Sequence, residues 1–361
     1  MRPLRPAKII QNIRINIFVN YFKTVSKRMK KIALIYGGDS SEWKISVLSG
    51  KHVASCLDRT KYEVYEILLR GDEWNLCDPS VADRAVPLAP VDPSDFTYEA
   101  DGMRIRFDVA LIMIHGTPGE NGILQAHLEK LGVPFTTCSS EVAALTFDKH
   151  ACKRYMQGLG IPLAPDIFLR RGEAFDAETA VEKLGLPIFV KPNDGGSSFG
   201  VTKVKRIEDL PAAVEAAFRE GDSVLLESHI PGRELTEGVF IRDGVIVPLP
   251  VTEIISHNEY FDYEAKYLGK SDEVCPAQIP ADVAHVVREQ TRRIYQHFGC
   301  RGLIRCDYIL SESGQVYFLE INPVPGMTKM SLVPAQIRAA GLSVAEVMDV
   351  LIAEALSSCP A

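Results

Sequence analysis

The apolar positions of this chain fall in short, unbroken runs separated by glycine-rich turns. Lys31–Tyr36 (KIALIY) and Asp108–His115 (DVALIMIH) are almost continuously hydrophobic. Such runs mark strands buried on both faces of a parallel sheet. Each ends in glycines, at Gly37-Gly38 and in HGTPGENG, and a helical pattern follows each, over Ser46–Leu57 and Leu124–Leu131. Alternating strand and helix predicts an α/β unit spanning 29–137, with both glycine loops at strand C-termini, where open α/β sheets place ligands.

From 138 to 230 the pattern predicts a second unit. It holds a helix around Lys149–Gly158, strands Leu186–Lys191, Val201–Val204 and Val224–Glu227, and a helix Pro211–Arg219. A third unit, 231–361, opens with a hairpin: Gly238–Ile241, a turn at Asp243-Gly244, then Val245–Leu249. Asp282–Phe298 is amphipathic, with Val283, Val286, Val287 and Ile294 on one face and Gly299 as its stop. A last helix is predicted near Ser343–Leu356. Ser256–Gln278 is long, polar and aromatic without periodicity, which predicts a lid loop over 256–278.

The densest chemistry lies in Gly302–Gly326, GLIRCDYILSESGQVYFLEINPVPG, which reads as a hairpin turning at Ser313-Gly314. Side chains two apart share a strand face, so Arg305 pairs with Asp307, and Glu320 with Asn322. A cation, two carboxylates and a carboxamide then converge inside an apolar hairpin. Charge placed there is costly unless neutralised. A hard divalent cation holding polyphosphate is the simplest neutraliser, because Mg²⁺ takes carboxylates, waters and phosphate oxygens.

Composition changes the picture in two places. The net charge is −7, yet residues 1–31 carry nine Lys/Arg and no acid, leaving 31 bases against 47 acids in the rest, a net −16. An acidic body argues against nucleic acid as a partner. The basic segment 1–28 reads as a disordered extension or a start-site artefact, with Met29 as the natural start; a membrane-surface arm is a second reading, and a targeting segment, for which it lacks a clean apolar core and a small-residue cleavage site, is a third. The eight cysteines are scattered without a CxxC pair, which fits reduced thiols in a cytoplasm, and no apolar run is long enough to span a membrane.

Several motifs carry chemistry only weakly when taken singly. Lys191-Pro-Asn-Asp-Gly-Gly-Ser-Ser-Phe-Gly200 directly follows a strand; its glycines allow close approach to phosphate, and Lys191, Ser197 and Ser198 add charge and hydroxyls. Gly269-Lys270-Ser271 lacks the glycine five places earlier that a Walker A loop needs, and no GxGxxG occurs. Glu227 and Glu234 flank Pro231-Gly232 and read either as nucleoside acceptors or as surface acids. Glu42 reads as an ammonium ligand or a helix cap, and His115 as a site residue or a satisfied turn histidine.

Their order is specific. GGDSSE (37–42), HGTPGENG (115–122), FDK (147–149), VKPNDGGSSFG (190–200), Glu227 with Pro231-Gly232-Arg233-Glu234, YFDYEAKY (260–267), RCD (305–307) and LEINPVPGMTKMSLVP (319–334) together resemble the D-alanine–D-alanine ligases of the ATP-grasp superfamily. The resemblance runs from Lys30 to about Ile352.

The resemblance implies a three-domain ATP-grasp fold with an α/β N-terminal domain. It also implies ATP-dependent joining of two D-alanines through an acyl phosphate, for peptidoglycan precursor synthesis. Asp307, Glu320 and Asn322 would hold two Mg²⁺ (or Mn²⁺). Lys149, Lys191, Ser198 and Lys266 would contact ATP phosphates, and Glu227 and Glu234 its nucleoside. Arg305 and the Gly326 amide would form the oxyanion site. Glu42, with His115 nearby, would take the first substrate's ammonium, while Ser331 and Leu332 would take the second substrate's carboxylate. Glu42, Ser197 and Tyr267 match the family's hydrogen-bonded triad. A cytoplasmic homodimer acting on D-alanine and ATP is the expected state. Departures from the family's usual residues are Trp43-Lys44 after Glu42, Ser228 after Glu227, and Val324 within Asn-Pro-Val-Pro. The competing reading is another ATP-grasp carboxylate–amine ligase with a different second substrate.

Overall fold

The computed structural model describes residues 29–81, 83–100, 102–196, 200–257 and 271–358. The basic extension 1–28, the Ser197-Ser198 pair, and Lys266 and Tyr267 lie outside the described residues.

The first apolar run is strand β1 (Lys30–Gly37), buried from Ile32 onward as its continuous hydrophobicity predicts. It pairs in parallel with β2 (Tyr62–Arg70) on one side and, further along the chain, with the Asp108–His115 run on the other. Helix α1 (Trp43–Cys56) packs on β1. The chain continues through β3 (Glu73–Cys77), β4 (Pro87–Pro90) and a small hairpin, β5 (Thr97–Ala100) with β6 (Met103–Arg106). It then enters β7 (Val109–Ile112), which is shorter than the apolar run that predicts it. The five-stranded sheet has the order β4-β3-β2-β1-β7, and α2 (Ile123–Leu131) follows β7. Glycine is required where the β1 and β7 loops meet: at Gly116, φ 70°, an added Cβ would lie 2.6 Å from the Ser40 side chain.

Helices α3 (Ser140–Phe147) and α4 (Lys149–Tyr155) lead into a four-stranded antiparallel sheet. Its strands are β8 (Asp166–Arg170), β9 (Ile188–Pro192), β10 (Thr202–Val204) and β11 (Ser223–Ser228), in the order β10-β9-β11-β8. Helices α5 (Ala177–Leu184) and α6 (Leu210–Ala217) share its core through Leu184, Leu210 and Ala217, against Ile188, Val190 and Val224.

The third sheet is antiparallel and built on the long β12 (Gly232–Arg242). β13 (Val245–Pro248) and β14 (Thr252–Ser256) pair with β12 on one side, and β16 (Ile304–Ser311) pairs on the other. The hairpin partner β17 (Val316–Asn322) closes that side. Two expectations shift here. β12 begins at Gly232, so Pro231-Gly232 opens a strand and is not a free turn. Within the aperiodic stretch 256–278, β15 (Ser271–Val274) pairs with β14; short edge strands of alternating polar residues leave little apolar signal.

Helix α7 (Ala281–His297) covers one face of this sheet with Val287, Ile294 and Tyr295. Helices α8 (Leu332–Ala339) and α9 (Val344–Ser357) reach back to the first sheet. Val333, Ile337, Val347 and Leu351 share one core with Ile32, Leu34 and Tyr36 of β1 and Val47 and Val53 of α1. The C-terminal helices thereby tie the β16–β17 hairpin to the start of the chain.

Candidate active site

The hairpin closes with the register that strand alternation predicts. Arg305 stands opposite Asn322 and Asp307 opposite Glu320, with a bulge just after Asp307. Asp307 is almost buried and densely hydrogen-bonded. Arg305 donates to both of its oxygens at 2.8 Å through Nε and Nη2. Asn322 Nδ2 donates to Oδ2 at 2.9 Å, and Thr236 Oγ1 on β12 donates to Oδ1 at 2.6 Å. Because the Asn322 amide nitrogen is spent on Asp307, its carbonyl oxygen is the acceptor left for a cation. Among the described residues no group of three His, Cys, Asp or Glu is arranged to hold a metal. Two carboxylates and a carboxamide are nonetheless the hard oxygen donors that Mg²⁺ takes beside phosphate, so the residue types fit the ion, with Asp307 giving up one of its hydrogen bonds to reach it.

A second cluster joins α4 to the four-stranded sheet. Lys153 donates to Glu227 Oε1 at 2.6 Å and to the Ala164 carbonyl at 2.8 Å. Lys191 forms an ion pair with the other oxygen, Oε2. All three side chains are buried. Burial raises the Glu227 carboxyl, but the two lysines outweigh it and hold the group at about 2. The sequence singled out Glu227 and Lys191 but not Lys153. Its signal is the i, i+4 spacing from Lys149 on one helix. Lys149 donates to the Gly195 carbonyl at 2.6 Å, and Asn193 bonds to Asp148 and to the His150 amide, which stitches the glycine loop to the start of α4. Burial lowers Lys149; Glu320 of the six-stranded sheet and Glu227 of the four-stranded sheet oppose that shift. Lys149 therefore lies within electrostatic reach of both sheets, and Glu234 sits near the start of β12.

The remaining expected residues converge on one cavity of about 640 Å³. Glu42, His115, Arg305, Asn322, Gly326, Ser331 and Leu332 all line it. Glu42 occupies the N-cap position of α1, but its side chain makes no capping bond. It is buried, and an added Cβ on Gly196 would stand 2.7 Å from its Oε2, so the glycine loop reaches Glu42 one residue before Ser197. Ser331 is the N-cap of α8; its Oγ accepts from the Thr328 amide at 3.1 Å, and an added Cβ on Gly326 would stand 3.0 Å from it. Gln336 clips α8 to β12, accepting from Gly238 N at 2.8 Å and donating to Thr236 O at 3.0 Å.

Glu120 of the second glycine loop also lines the cavity, and sequence reasoning missed it. It is 8 % exposed, and burial together with the charge of Glu42 pushes its carboxyl up to about 8. Its position in HGTPGENG, five residues after His115, was the available signal. His115 faces the cavity, but both ring nitrogens are committed, Nδ1 to the Val324 carbonyl and Nε2 to Ser49 Oγ, each at 2.9 Å.

Three packed units, a glycine loop bonded to a lysine between two antiparallel sheets, and a carboxylate-rich hairpin define an enzyme of the ATP-grasp class. Comparison narrows this further. Residues 31–138 match the model described as D-ala D-ala ligase N-terminus, and residues 155–353 match D-ala D-ala ligase C-terminus. The chain is similar to a D-alanine–D-alanine ligase of Phocaeicola vulgatus, with 45% identity over 90% of this chain and 98% of that protein. Among solved structures it is similar to D-alanyl-alanine synthetase A of Vibrio cholerae (28% identity, TM-score 0.81, 92% of this chain, all of that one). It is also similar to the VanG D-Ala:D-Ser ligase of Enterococcus faecalis (31% identity, TM-score 0.79, 90% of this chain, 99% of that one). The chain belongs to the D-alanine–D-alanine ligase family.

Proposed function

We propose that this protein joins two molecules of D-alanine at the expense of ATP, in peptidoglycan precursor synthesis. The carrying observation is the single cavity in which Glu42, Arg305, Gly326 and Ser331, drawn from three distant segments, share one space. The first D-alanine's carboxylate takes the γ-phosphoryl group, and the second's amine displaces phosphate from the acyl phosphate. Glu42 binds the first ammonium. Arg305 and the Gly326 amide face the carbonyl oxygen as it becomes tetrahedral; donors fixed in advance stabilise that charge. Ser331 and Leu332 offer the second carboxylate the N-terminus of α8, where backbone amides favour an anion.

Lys149, Lys191 and Ser198 receive the phosphates. Lys191 leaves Glu227 to do so, and Lys153 keeps Glu227 ionised for the nucleoside, with Glu234 as the nucleoside's other acceptor. Asp307, Glu320 and Asn322 would hold two Mg²⁺ (or Mn²⁺), which would supply charge neutralisation of the triphosphate. Lys266, Ser197 and Tyr267 complete the reading from sequence, with the units 29–137, 138–230 and 231–361 as its domains and 256–278 as the lid. A cytoplasmic homodimer completes it; among the described residues no helix is long and apolar enough to cross a membrane.

The test is ADP release with ATP, magnesium and each of D-alanine, L-alanine, D-serine and D-lactate, with the product identified by mass. D-alanyl-D-alanine should dominate. A mixed product with D-serine or D-lactate as the main species would favour the ligase with a different second substrate; the Enterococcus neighbour is named for D-serine.

A further inference from the structure

The segment Val324–Met327 carries Gly326 and is held at both ends by side chains from elsewhere in the chain. Three contacts do this. The Val324 carbonyl meets His115 Nδ1 at 2.9 Å, the Met327 amide donates to Ser49 Oγ at 3.1 Å, and the Met327 carbonyl meets His52 Nδ1 at 2.6 Å. A fourth bond, Ser49 Oγ to His115 Nε2 at 2.9 Å, links two of the holders, and Ser46 Oγ accepts the His115 amide at 2.9 Å. Ser46, Ser49 and His52 recur every third residue of α1, so one stripe of one helix supplies them.

The directions of these bonds are fixed by chemistry. A carbonyl can only accept, so His115 carries its proton on Nδ1 and donates to Val324. Burial keeps the ring neutral, which leaves Nε2 as an acceptor. The Ser49 hydroxyl therefore donates to Nε2, and its oxygen accepts from Met327. Ser49 is fully buried and His115 nearly so, and no donor in the set is left idle. The same helix carries Glu42 at its N-terminus, so α1 sets both the ammonium ligand and the loop that holds the oxyanion amide.

We propose that Ser49 and His52 are positioning residues for the ligation step: with His115 they splint Val324–Met327 so that the Gly326 amide keeps its aim at the reacting carbonyl. This rests on the ligase reading and on Gly326 as an oxyanion donor. It also gives His115 a second duty, holding the loop, and rules its ring out as a free base.

The experiment compares the full chain with Ser49→Ala, Ser49→Thr, His52→Leu and His52→Gln. Each is measured for kcat, for KM of ATP and D-alanine, for affinity of a phosphinate dipeptide that mimics the tetrahedral intermediate, and for melting temperature. A splint that has lost one strut mis-aims a donor used only in the transition state, so kcat and phosphinate affinity should fall together, by about 10- to 100-fold. KM for ATP should stay within about twofold. Thr keeps the hydroxyl and Gln keeps an N–H donor, so both should recover most of the loss. Phosphinate affinity equal to that of the unmodified chain in Ser49→Ala and His52→Leu overturns the proposal, whatever the melting temperature does. His52 is only half-buried, so its variants decide the matter if Ser49→Ala does not fold. If the unmodified chain makes no D-alanyl-D-alanine, the ligase reading has failed instead, and that control stands apart from the variants.

Discussion

Arg305 lies fork-to-fork on Asp307, two residues along the same strand, with Nε and Nη2 each 2.8 Å from a different carboxylate oxygen. The pair is partly shielded from water and is joined by Thr236 and Asn322. A bidentate fork of this kind fixes both partners, so the proposed oxyanion cation and the proposed metal carboxylate are one rigid unit. Asp307→Ala removes the proposed metal ligand and also frees the guanidinium from its anchor. Turnover should drop by more than about 1,000-fold in the ADP-release assay, and activity within about tenfold of the unmodified chain would refute the metal role.

Lys153 makes a different prediction. Its ammonium and that of Lys191 hold Glu227 at about 2, below the usual carboxylate value of 4.5. A carboxyl depressed on folding contributes stability that is full above its unfolded value and fades as pH falls towards the folded one. Lys153→Met leaves a buried carboxylate with one partner instead of two, so it should cost about 3 kcal/mol at pH 7 and much less near pH 2.5. Urea melts at the two pH values give the difference. Equal losses at both would show that packing of the lysine stem, not charge, is what the variant removes.

The strands that the sequence shows plainly are the ones with continuous apolar runs and glycine stops, β1, β7, β9, β11 and the β16–β17 hairpin. β2 and β3 escaped notice because Tyr62–Arg70 mixes charge with half-buried aliphatics, and their register follows from pairing with β1. The site divides in the same way. Strand alternation alone placed Arg305 with Asp307 and Glu320 with Asn322. Glu42, His115 and Ser331 have no local signature strong enough to join them, because their meeting depends on α8 and α9 sharing a core with β1, hundreds of residues away. In sequence Glu227 reads equally as a nucleoside acceptor or a surface acid. Its partner Lys153, 74 residues earlier, becomes visible only when α4 packs on the sheet.

Glu237 should give the chain an alkaline weakness. It sits fully buried on β12, neither carboxyl oxygen has a hydrogen-bond partner, and Arg288 Nε stands 4.0 Å from Oε1. Burial pushes the Glu237 carboxyl up to about 8. The nearby Thr291 hydroxyl, 2.7 Å from the Tyr308 hydroxyl, and Arg288 lower it only in part. With a folded value above the unfolded 4.5, the native state holds the extra proton, so stability falls as pH rises from about 4.5 and the loss is complete above about 8. Glu237→Leu should flatten that slope and raise stability at pH 8 by on the order of 3 kcal/mol. Denaturation series at pH 5, 7 and 8 read it directly; a parallel slope in the variant would exclude Glu237 as the cause.

Glu120 faces the same cavity as Glu42, and its carboxyl, at about 8, is mostly protonated at neutral pH when the site is empty. Burial comes first and the neighbouring negative charge of Glu42 second, while the Gly116 backbone hydrogen bond and, after it, Arg305 oppose them. An ammonium entering between the two carboxylates reverses the second cause. It supplies the opposite charge that lets Glu120 ionise, so binding the first D-alanine should expel a proton. The amount is bounded: at most one proton per site, most of it between about pH 6 and 8, and none well above pH 8, where Glu120 is already ionised. Calorimetric titration of D-alanine in buffers of different ionisation enthalpy counts that proton. The Glu120→Gln variant should bind D-alanine more weakly, by about tenfold, and show heats independent of the buffer. Buffer-independent heats for the unmodified chain at pH 7 would mean that Glu120 keeps its proton with substrate bound, and that Glu42 alone carries the ammonium's charge.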